Sequence, residues 1–530
     1  MNKRLIYITL TVLGGLLPAI AWPPNTLPFL LFIAFVPLLL LEQHFTEKGR
    51  GTFFGLYTYL GLFIFNLITT WWVWNASPGG AVFMLFANTF LMLLPFLVYR
   101  FTKRIVGQGR GLFMFVISWL SFEYFHFRWD LAYPWLTLGN AFATTPSIIQ
   151  WYEYTGALGG SFWILSVNVL IFHLTQTVRR SAQILTASLI VFPVCWSLYL
   201  GTKQQAQCYN NEVVLIQPNI DPYLKFDPSR KYADIDSFIT LCESAITPKT
   251  KLIILPETAL VGNMNEDQLV QSYGIRQFKN LQKRNPGVGI LVGASTHRFY
   301  KEGEKLPIYP RYLEQVDKYY DSYNTAVQID GNGDIETYHK SKLVPGVESL
   351  PFPQFFKQFD DLMQLDLGGV AGNLGIDQQA KSFHYSVGQK SSHGSSSISV
   401  APLICYESIF GEYVGQFVKQ RADIIAVITN DGWWKNTAGH KQHMHYARLR
   451  AIEYRRYVVR SANTGITCAI DDNGEVLKQL GWWERGTLTV KIPSLKYTTF
   501  YAKAGDYIGK LALFIFFFMG LSVLVKWKIK

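Results

Sequence analysis

The sequence predicts a membrane protein of two unlike parts: a multi-span α-helical membrane domain of about eight transmembrane helices, and an α/β domain held between the seventh helix and the eighth. Two observations predict this. Seven apolar runs precede residue 204 and an eighth lies near the C-terminus. Between them, short β-branched runs alternate with helical patterns, which is the signature of a layered α/β domain with a buried sheet. The overall hydrophobic content of 49%, aromatic content of 15% and charged content of 16% therefore average two different solvents.

The first seven apolar runs cover residues 5–22, 27–41, 53–72, 82–98, 112–125, 158–174 and 184–200, and the eighth covers 511–525. A spanning helix needs about 20 apolar residues, so the runs at 27–41, 112–125 and 511–525 must borrow flanking residues or lie in the interface. Orientation follows from Lys and Arg in the short loops. Lys48 and Arg50 follow the second run, Arg100, Lys103, Arg104 and Arg110 the fourth, and Arg179 and Arg180 the sixth. Of the alternate loops, two carry neither residue type and the third carries only Arg128. Both termini are therefore expected in the cytoplasm and the α/β domain outside. Lys3 and Arg4 with Ala19-Ile20-Ala21 imitate a signal peptide, but further spans follow at once. The expected domains are 1–203, 204–501 and 502–530.

The net charge of +12 reflects the positive-inside bias, and no nucleic-acid module accompanies it. Five cysteines show no CxxC pair, so nothing supports a disulfide framework. Within the α/β domain, residues 213–217, 252–255, 289–292, 399–404 and 424–428 read as strands, and 229–245 and 266–284 as helices. Hairpins are expected around Gly331-Asn332-Gly333 and Asp472-Asn473-Gly474, which makes the sheet mixed. An aromatic stretch at 349–359, a partly apolar one at 362–374 and a Ser-rich one at 381–397 form an insertion. It reads either as a packed surface loop or as a greasy lid that dips into lipid.

Three reactive side chains end strands in this domain. Glu257 follows Ile253-Ile254-Leu255-Pro256, Lys340 follows Tyr338-His339, and Cys405 follows the apolar run 400–404. Catalytic residues commonly sit at such strand ends. A free thiol of pKa about 8.5 is only a few per cent ionised at neutral pH, so a neighbouring carboxylate is a useful base and an ammonium favours the thiolate. His440, His443 and His445 do not share one helical face, and no zinc ligand pattern surrounds them.

These residues resemble the nitrilase (carbon–nitrogen hydrolase) superfamily, whose reactive set is Glu, Lys and Cys in that chain order. The resemblance is closer to its membrane-embedded branch, the bacterial apolipoprotein N-acyltransferases. It rests on IQPNI (216–220), LPET, YHKSKLVPGVES, ICYES, TNDGWW (429–434), QHMHYARLRAIE and RSANTGIT, with YPWLTLGNA (133–141) in an outer loop. Where the family reads LVPFGE this chain has Leu343-Val344-Pro345-Gly346-Val347-Glu348, which keeps the glutamate's spacing from Lys340 in a different loop. The resemblance implies a nitrilase-like αββα sandwich, with Cys405 as nucleophile, Glu257 as general base and acid, and Lys340 stabilising thiolate and oxyanion. Glu348, Tyr406 and Glu407 would support the site, and Asn219, Trp433 and Trp434 would shape the pocket.

The implied reaction takes an acyl chain from a phospholipid onto Cys405 as a thioester. It then passes the chain to the α-amino group of an S-diacylglyceryl-cysteine at the N-terminus of an apolipoprotein. No cofactor or metal, no nucleic acid and a monomer in the bacterial inner membrane, with a periplasmic catalytic domain, complete the expectation. The alternatives are a membrane-anchored nitrilase-type amidohydrolase and a transporter or scaffold with a degenerate domain.

Overall fold

A computed structural model describes residues 3–47, 51–202, 211–356, 373–387, 396–493 and 497–529. Lys48, Arg50, Cys208, Phe359, residues 362–372 and residues 388–395 of the Ser-rich stretch lie outside these residues. The chain divides into two compact units. One comprises Met1–Gln204, Thr437–Glu453 and Thr499–Lys530, and the other Gln205–Asn436 and Tyr454–Thr498.

The first unit opens with α1 (Lys3–Ala21), a 3-10 turn (Pro28–Phe32) leading to α2 (Val36–Glu47), α3 (Phe54–Thr70) and α4 (Pro78–Val106). Then follow α5 (Gln108–His126), α6 (Tyr152–Gln176) and α7 (Arg180–Gly201). Among the described residues seven stretches are long and apolar enough to cross a membrane: Arg4–Ala21, Pro28–Glu47, Gly51–Asn75, Pro78–Val106, Tyr152–Gln176, Arg180–Gly201 and Tyr507–Ile529. The fifth expected span is present as the 19-residue α5, which carries Arg110 and Glu123 and is less apolar than the others.

The second span is short in sequence because it is broken in structure. Between the turn at Pro28–Phe32 and α2 the helical ladder lapses, and Asn168 of α6 supplies the missing partners. Its Oδ1 accepts from the Phe35 amide at 2.8 Å, and its Nδ2 donates to the Leu31 carbonyl at 2.7 Å and the Ile164 carbonyl at 2.8 Å. Irregular backbone at membrane depth is tolerated only with such internal satisfaction.

The second unit runs β1 (Asn211–Gln217), α8 (Lys231–Ala245), β2 (Thr250–Ile254), β3 (Leu260–Asn265), α9 (Tyr273–Arg284), β4 (Gly289–Phe299) and β5 (Arg311–Leu313). It continues with β6 (Lys318–Ile329), β7 (Ile335–His339), β8 (Phe383–Val387), β9 (Ser396–Ile404), α10 (Gly411–Lys419) and β10 (Ile424–Thr429). The chain then crosses to the first unit for α11 (Ala438–Tyr454), and returns for β11 (Tyr457–Ala462), β12 (Cys468–Ile470), β13 (Val476–Gln479) and β14 (Gly486–Ile492). A final helix, α12 (Tyr507–Ile529), belongs to the first unit.

One sheet has the order β14-β1-β2-β4-β6-β5, with β3 on β4 and β7 on β6; the other has the order β13-β12-β11-β10-β9-β8. Both are mixed. β1, β2 and β4 are parallel, as are β9, β10 and β11, while the hairpins are antiparallel. The sheets meet face to face: Ser461 Oγ donates to the Ile216 carbonyl at 2.8 Å, and the Thr467 amide to Gln217 Oε1 at 3.0 Å. Helices α8 and α9 cover the outer face of the first sheet, packing Ile235, Phe238, Ile275 and Phe278 on Val214, Ile253, Ile290 and Val292. α10 covers β9 on the other side, giving the αββα order.

Helix α11 is seated within the first unit by polar contacts. Trp135 Nε1 donates to Gln442 Oε1 at 2.6 Å, Gln442 Nε2 to the Pro23 carbonyl at 2.9 Å, and Trp22 Nε1 to Tyr446 OH at 3.0 Å. Trp135 belongs to the 133–141 motif, which folds as two consecutive 3-10 segments rather than a span. We expect Asn168→Ala to destabilise the protein by about 1–3 kcal/mol, because it leaves the buried Phe35 amide unpaired. A fall in the thermal midpoint of the detergent-solubilised protein checks this.

Candidate active site

Each of the three reactive residues leaves its strand at the C-terminal end: Glu257 after β2, Lys340 directly after β7 and Cys405 directly after β9. Cys405 has a backbone φ of 50°, in the left-handed region that costs a non-glycine residue about 1–3 kcal/mol. The strain marks a sharp strand-to-turn corner, since Cys405–Ile409 form a 3-10 turn at the end of the strand. Glu407 holds that corner. Its Oε2 accepts from the Ile404 amide at 2.8 Å, which satisfies a donor at the start of the turn.

The other oxygen of Glu407 reaches the lysine loop. Oε1 accepts from Tyr338 OH at 2.5 Å and from the Ser341 amide at 2.7 Å. One fully buried carboxylate thereby joins the residues flanking Cys405 to those flanking Lys340. Burial raises the Glu407 carboxyl to about 7, against the lowering effect of these hydrogen bonds.

Lys340 is only 1% exposed. Its ammonium donates to Glu348 Oε1 at 2.7 Å and to Glu257 Oε1 at 3.4 Å. Burial alone would lower its pKa, but the charges of Glu348, Glu257 and Cys405 more than offset that and raise it, so the group stays cationic. Glu348 is returned to Lys340 by the turn that departs from the family's pattern. Its Oε2 accepts from the Val344 amide at 2.8 Å and its own amide donates to the Val344 carbonyl at 2.9 Å. Gly346, at φ 76°, makes the turn possible.

Glu257 is fixed at both oxygens. Asn324 Nδ2 donates to Oε1 at 2.7 Å and the Asn430 amide to Oε2 at 3.0 Å. Lys225, also buried, donates from Nζ to the Glu257 carbonyl at 2.7 Å and to Thr258 Oγ1 at 2.8 Å. Burial lowers this second lysine to about 7, although Glu257 pulls it upward. Cys405 feels Glu257 and Lys340 in opposite senses: burial first, and then the Glu257 carboxylate, raise its pKa, while Lys340 lowers it. The balance is upward, so the resting group is the neutral thiol.

The remaining predicted residues divide. Tyr406 is buried beside Cys405, edge-on to Phe410 at 5.4 Å. Trp433 contacts Tyr223 and Phe226 at ring separations of 5.4 and 6.4 Å, making an aromatic group with two exposed members. Trp434 is half-buried in the same 3-10 turn, Asp431–Trp434. Asn219, at φ 54°, turns its Nδ2 to the Trp483 carbonyl at 2.9 Å. The TNDGWW and RSANTGIT motifs are laced together. Asn463 Nδ2 donates to Asn430 Oδ1 at 3.1 Å, the Asp431 amide to the Thr464 carbonyl at 3.1 Å, and Arg460 pairs with Asp431 in full burial. Sequence reading missed Asn324, Lys225 and Tyr338. The one signal for Asn324 was a polar residue in the long strand β6, whose burial demands a partner.

A cysteine at a strained strand end, coupled to a carboxylate and an ammonium on an αββα sandwich, is a carbon–nitrogen hydrolase arrangement. The comparisons agree. Residues 212–500 match the family described as carbon-nitrogen hydrolase, and residues 14–170 match the apolipoprotein N-acyltransferase N-terminal domain. The chain therefore belongs to the carbon-nitrogen hydrolase family. Its similarity to the apolipoprotein N-acyltransferase of Chlorobaculum tepidum is 29% identity over 522 residues, covering 95% of this chain and 94% of that one. For the Thermotoga maritima and Pasteurella multocida apolipoprotein N-acyltransferases identity is 26% and 25%, covering 97% and 99% of this chain and 93% and 97% of theirs. Within the family, then, the chain lies in the apolipoprotein N-acyltransferase branch: it is a membrane protein and an acyltransferase.

The raised thiol pKa has a measurable consequence. The alkylation rate of Cys405 by iodoacetamide should keep rising with pH beyond the ordinary thiol value of about 8.5. Glu257→Gln removes the carboxylate that opposes ionisation while Lys340 remains, so its alkylation should level off at lower pH than in the wild type.

Proposed function

We propose that the protein transfers a fatty-acyl chain from a phospholipid to the α-amino group of an N-terminal S-diacylglyceryl-cysteine, through a thioester on Cys405. The observation that carries this reading is the union of the Glu257–Lys340–Cys405 site with membrane-spanning helices in a chain similar to apolipoprotein N-acyltransferases along nearly its whole length.

In the first step Cys405 Sγ attacks the ester carbonyl as its proton passes to Glu257, and the tetrahedral oxyanion develops against the Lys340 ammonium. Collapse breaks the carbon–oxygen bond, and Glu257 returns the proton to the departing lysophospholipid oxygen. In the second step the neutral amine attacks the thioester. Glu257 takes the amine's proton and passes it to Sγ as the carbon–sulfur bond breaks, so the amide forms and the thiol is restored. An α-amino group of pKa about 7.7–8.0 has a substantial neutral fraction at neutral pH, and an amine outcompetes water at a thioester in a site that excludes water. Glu348 and Glu407 keep the lysine and cysteine loops in register, Tyr406 backs the nucleophile, and Trp433 and Trp434 line the acyl side with Asn219 at its edge.

The Lys and Arg distribution supports a second unit on the outer, periplasmic side of a bacterial inner membrane and both termini in the cytoplasm. The enzyme acts there as a monomer, without cofactor or metal. The purified protein, given phospholipid with an isotope-labelled acyl chain and a diacylglyceryl-cysteine peptide, should release lysophospholipid and label the peptide's α-amine, and Cys405→Ser should abolish both. Ammonia release from small amides, independent of lipid, would instead make it a membrane-anchored amidohydrolase.

A further inference from the structure

His339 is the last residue of β7 and immediately precedes Lys340. Its Nδ1 lies 2.9 Å from Asp377 Oδ1 and its Nε2 lies 2.7 Å from Glu266 Oε1. A neutral imidazole carries one N–H and cannot donate to two carboxylates, so the ring is satisfied only as an imidazolium. Tyr323 stacks on its face with ring centroids 4.0 Å apart at 25°. The backbone amide of His339 donates to the other oxygen of Asp377 at 2.9 Å.

These contacts bear on the lysine turn from both sides. Ser341 Oγ donates to the Asp377 carbonyl at 2.7 Å, and the Leu374 amide donates to the Glu348 carbonyl at 3.0 Å. The stretch from Leu374 to Asp377 therefore runs along the turn that carries Lys340 and Glu348, and the His339 ring fastens that stretch to Glu266. Glu266 is braced in turn, accepting from Thr296 Oγ1 on β4 at 2.6 Å.

We propose that His339, as an imidazolium between Glu266 and Asp377, is the positioning residue that holds the Lys340 turn, and that its deprotonation loosens the turn and sets the alkaline limit of the site. The activity arm of this proposal rests on the acyl-transfer reading; the clamp itself does not.

The charged groups facing the ring are Glu266 and Asp377. Tyr323 of β6 covers it, with Arg298 of β4 and Asp321 of β6 acting on that phenol, and Lys381 acts on Asp377. Burial alone would lower the imidazole pKa, but the hydrogen bonds and charges of Asp377 and Glu266 more than offset it and raise it to about 9. Because that value lies above the ordinary value of about 6.5, the clamp stabilises the fold fully below about pH 6.5 and ceases to do so as pH rises through about 9. Lys340 stays protonated across that window because its own pKa is raised.

The test compares the wild type with His339→Gln and His339→Arg in thermal midpoint and in the pH profile of acyl transfer. We expect the wild type to melt above His339→Gln at about pH 6 and to lose that advantage by about pH 10. We expect an alkaline fall in wild-type kcat near pH 9, absent from His339→Gln, whose neutral-pH kcat drops roughly tenfold. His339→Arg, which keeps the charge and can donate to both carboxylates, should recover kcat and move the fall to higher pH. An equal stability gap at both pH values overturns the imidazolium clamp, and an unchanged alkaline limb in His339→Gln overturns the positioning role. Failure of acyl transfer in the wild type strikes the proposed function alone, because the melting comparison still decides the clamp.

Discussion

The site depends on one buried charge. Taking an ammonium out of water costs several kcal/mol even after relaxation, and only close, well-placed carboxylates offset that. Lys340 meets this condition with Glu348 at 2.7 Å and Glu257 at 3.4 Å. Two carboxylates around one cation leave room for a second positive group or for neutralisation by a proton. Glu257 is thus both a partner of Lys340 and a carboxylate whose charge acts on a thiol that burial keeps protonated. Remove the ammonium and the buried Glu257 carboxylate and the half-buried Glu348 lose the cation they share.

The other constraints serve this one. Asn324 and the Asn430 amide occupy lone pairs of Glu257, so the carboxylate is held in one orientation. Glu407 ties the corner before Cys405 to Tyr338 and Ser341 on either side of Lys340, making the spacing of the two loops a property of the sandwich rather than of the loops. The strain at Cys405 persists because both sides of the corner are held.

Much of this architecture was legible in the chain. Runs such as 213–217 and 424–428 read as buried strands and Gly331-Asn332-Gly333 as the turn of a hairpin, since β-branched composition and turn chemistry are local properties. The reactive residues were visible because each follows a strand: Glu257 and Cys405 an apolar one, Lys340 the second strand of a hairpin. The broken second span was not, because its repair by Asn168 comes from a helix 133 residues away. Helix α11 entered the sequence reading only as the QHMHYARLRAIE motif, and its long-range partners Trp22, Trp135 and Pro23 show that it belongs with the first unit. Asn324 and Lys225 escaped for the same reason: a side chain's partner across a sheet leaves no periodicity in the sequence.

The central claim is that Lys340 and Glu257 enable Cys405 to carry the acyl chain, and trapping that intermediate tests it most directly. The protein would be incubated with labelled phospholipid and no acceptor, digested, and its peptides weighed before and after hydroxylamine. The account predicts a stoichiometric, hydroxylamine-labile acyl mass on the Cys405 peptide of the wild type and its loss in Lys340→Met. A stable acyl mass on another residue, or an undiminished adduct without the Lys340 ammonium, would contradict it.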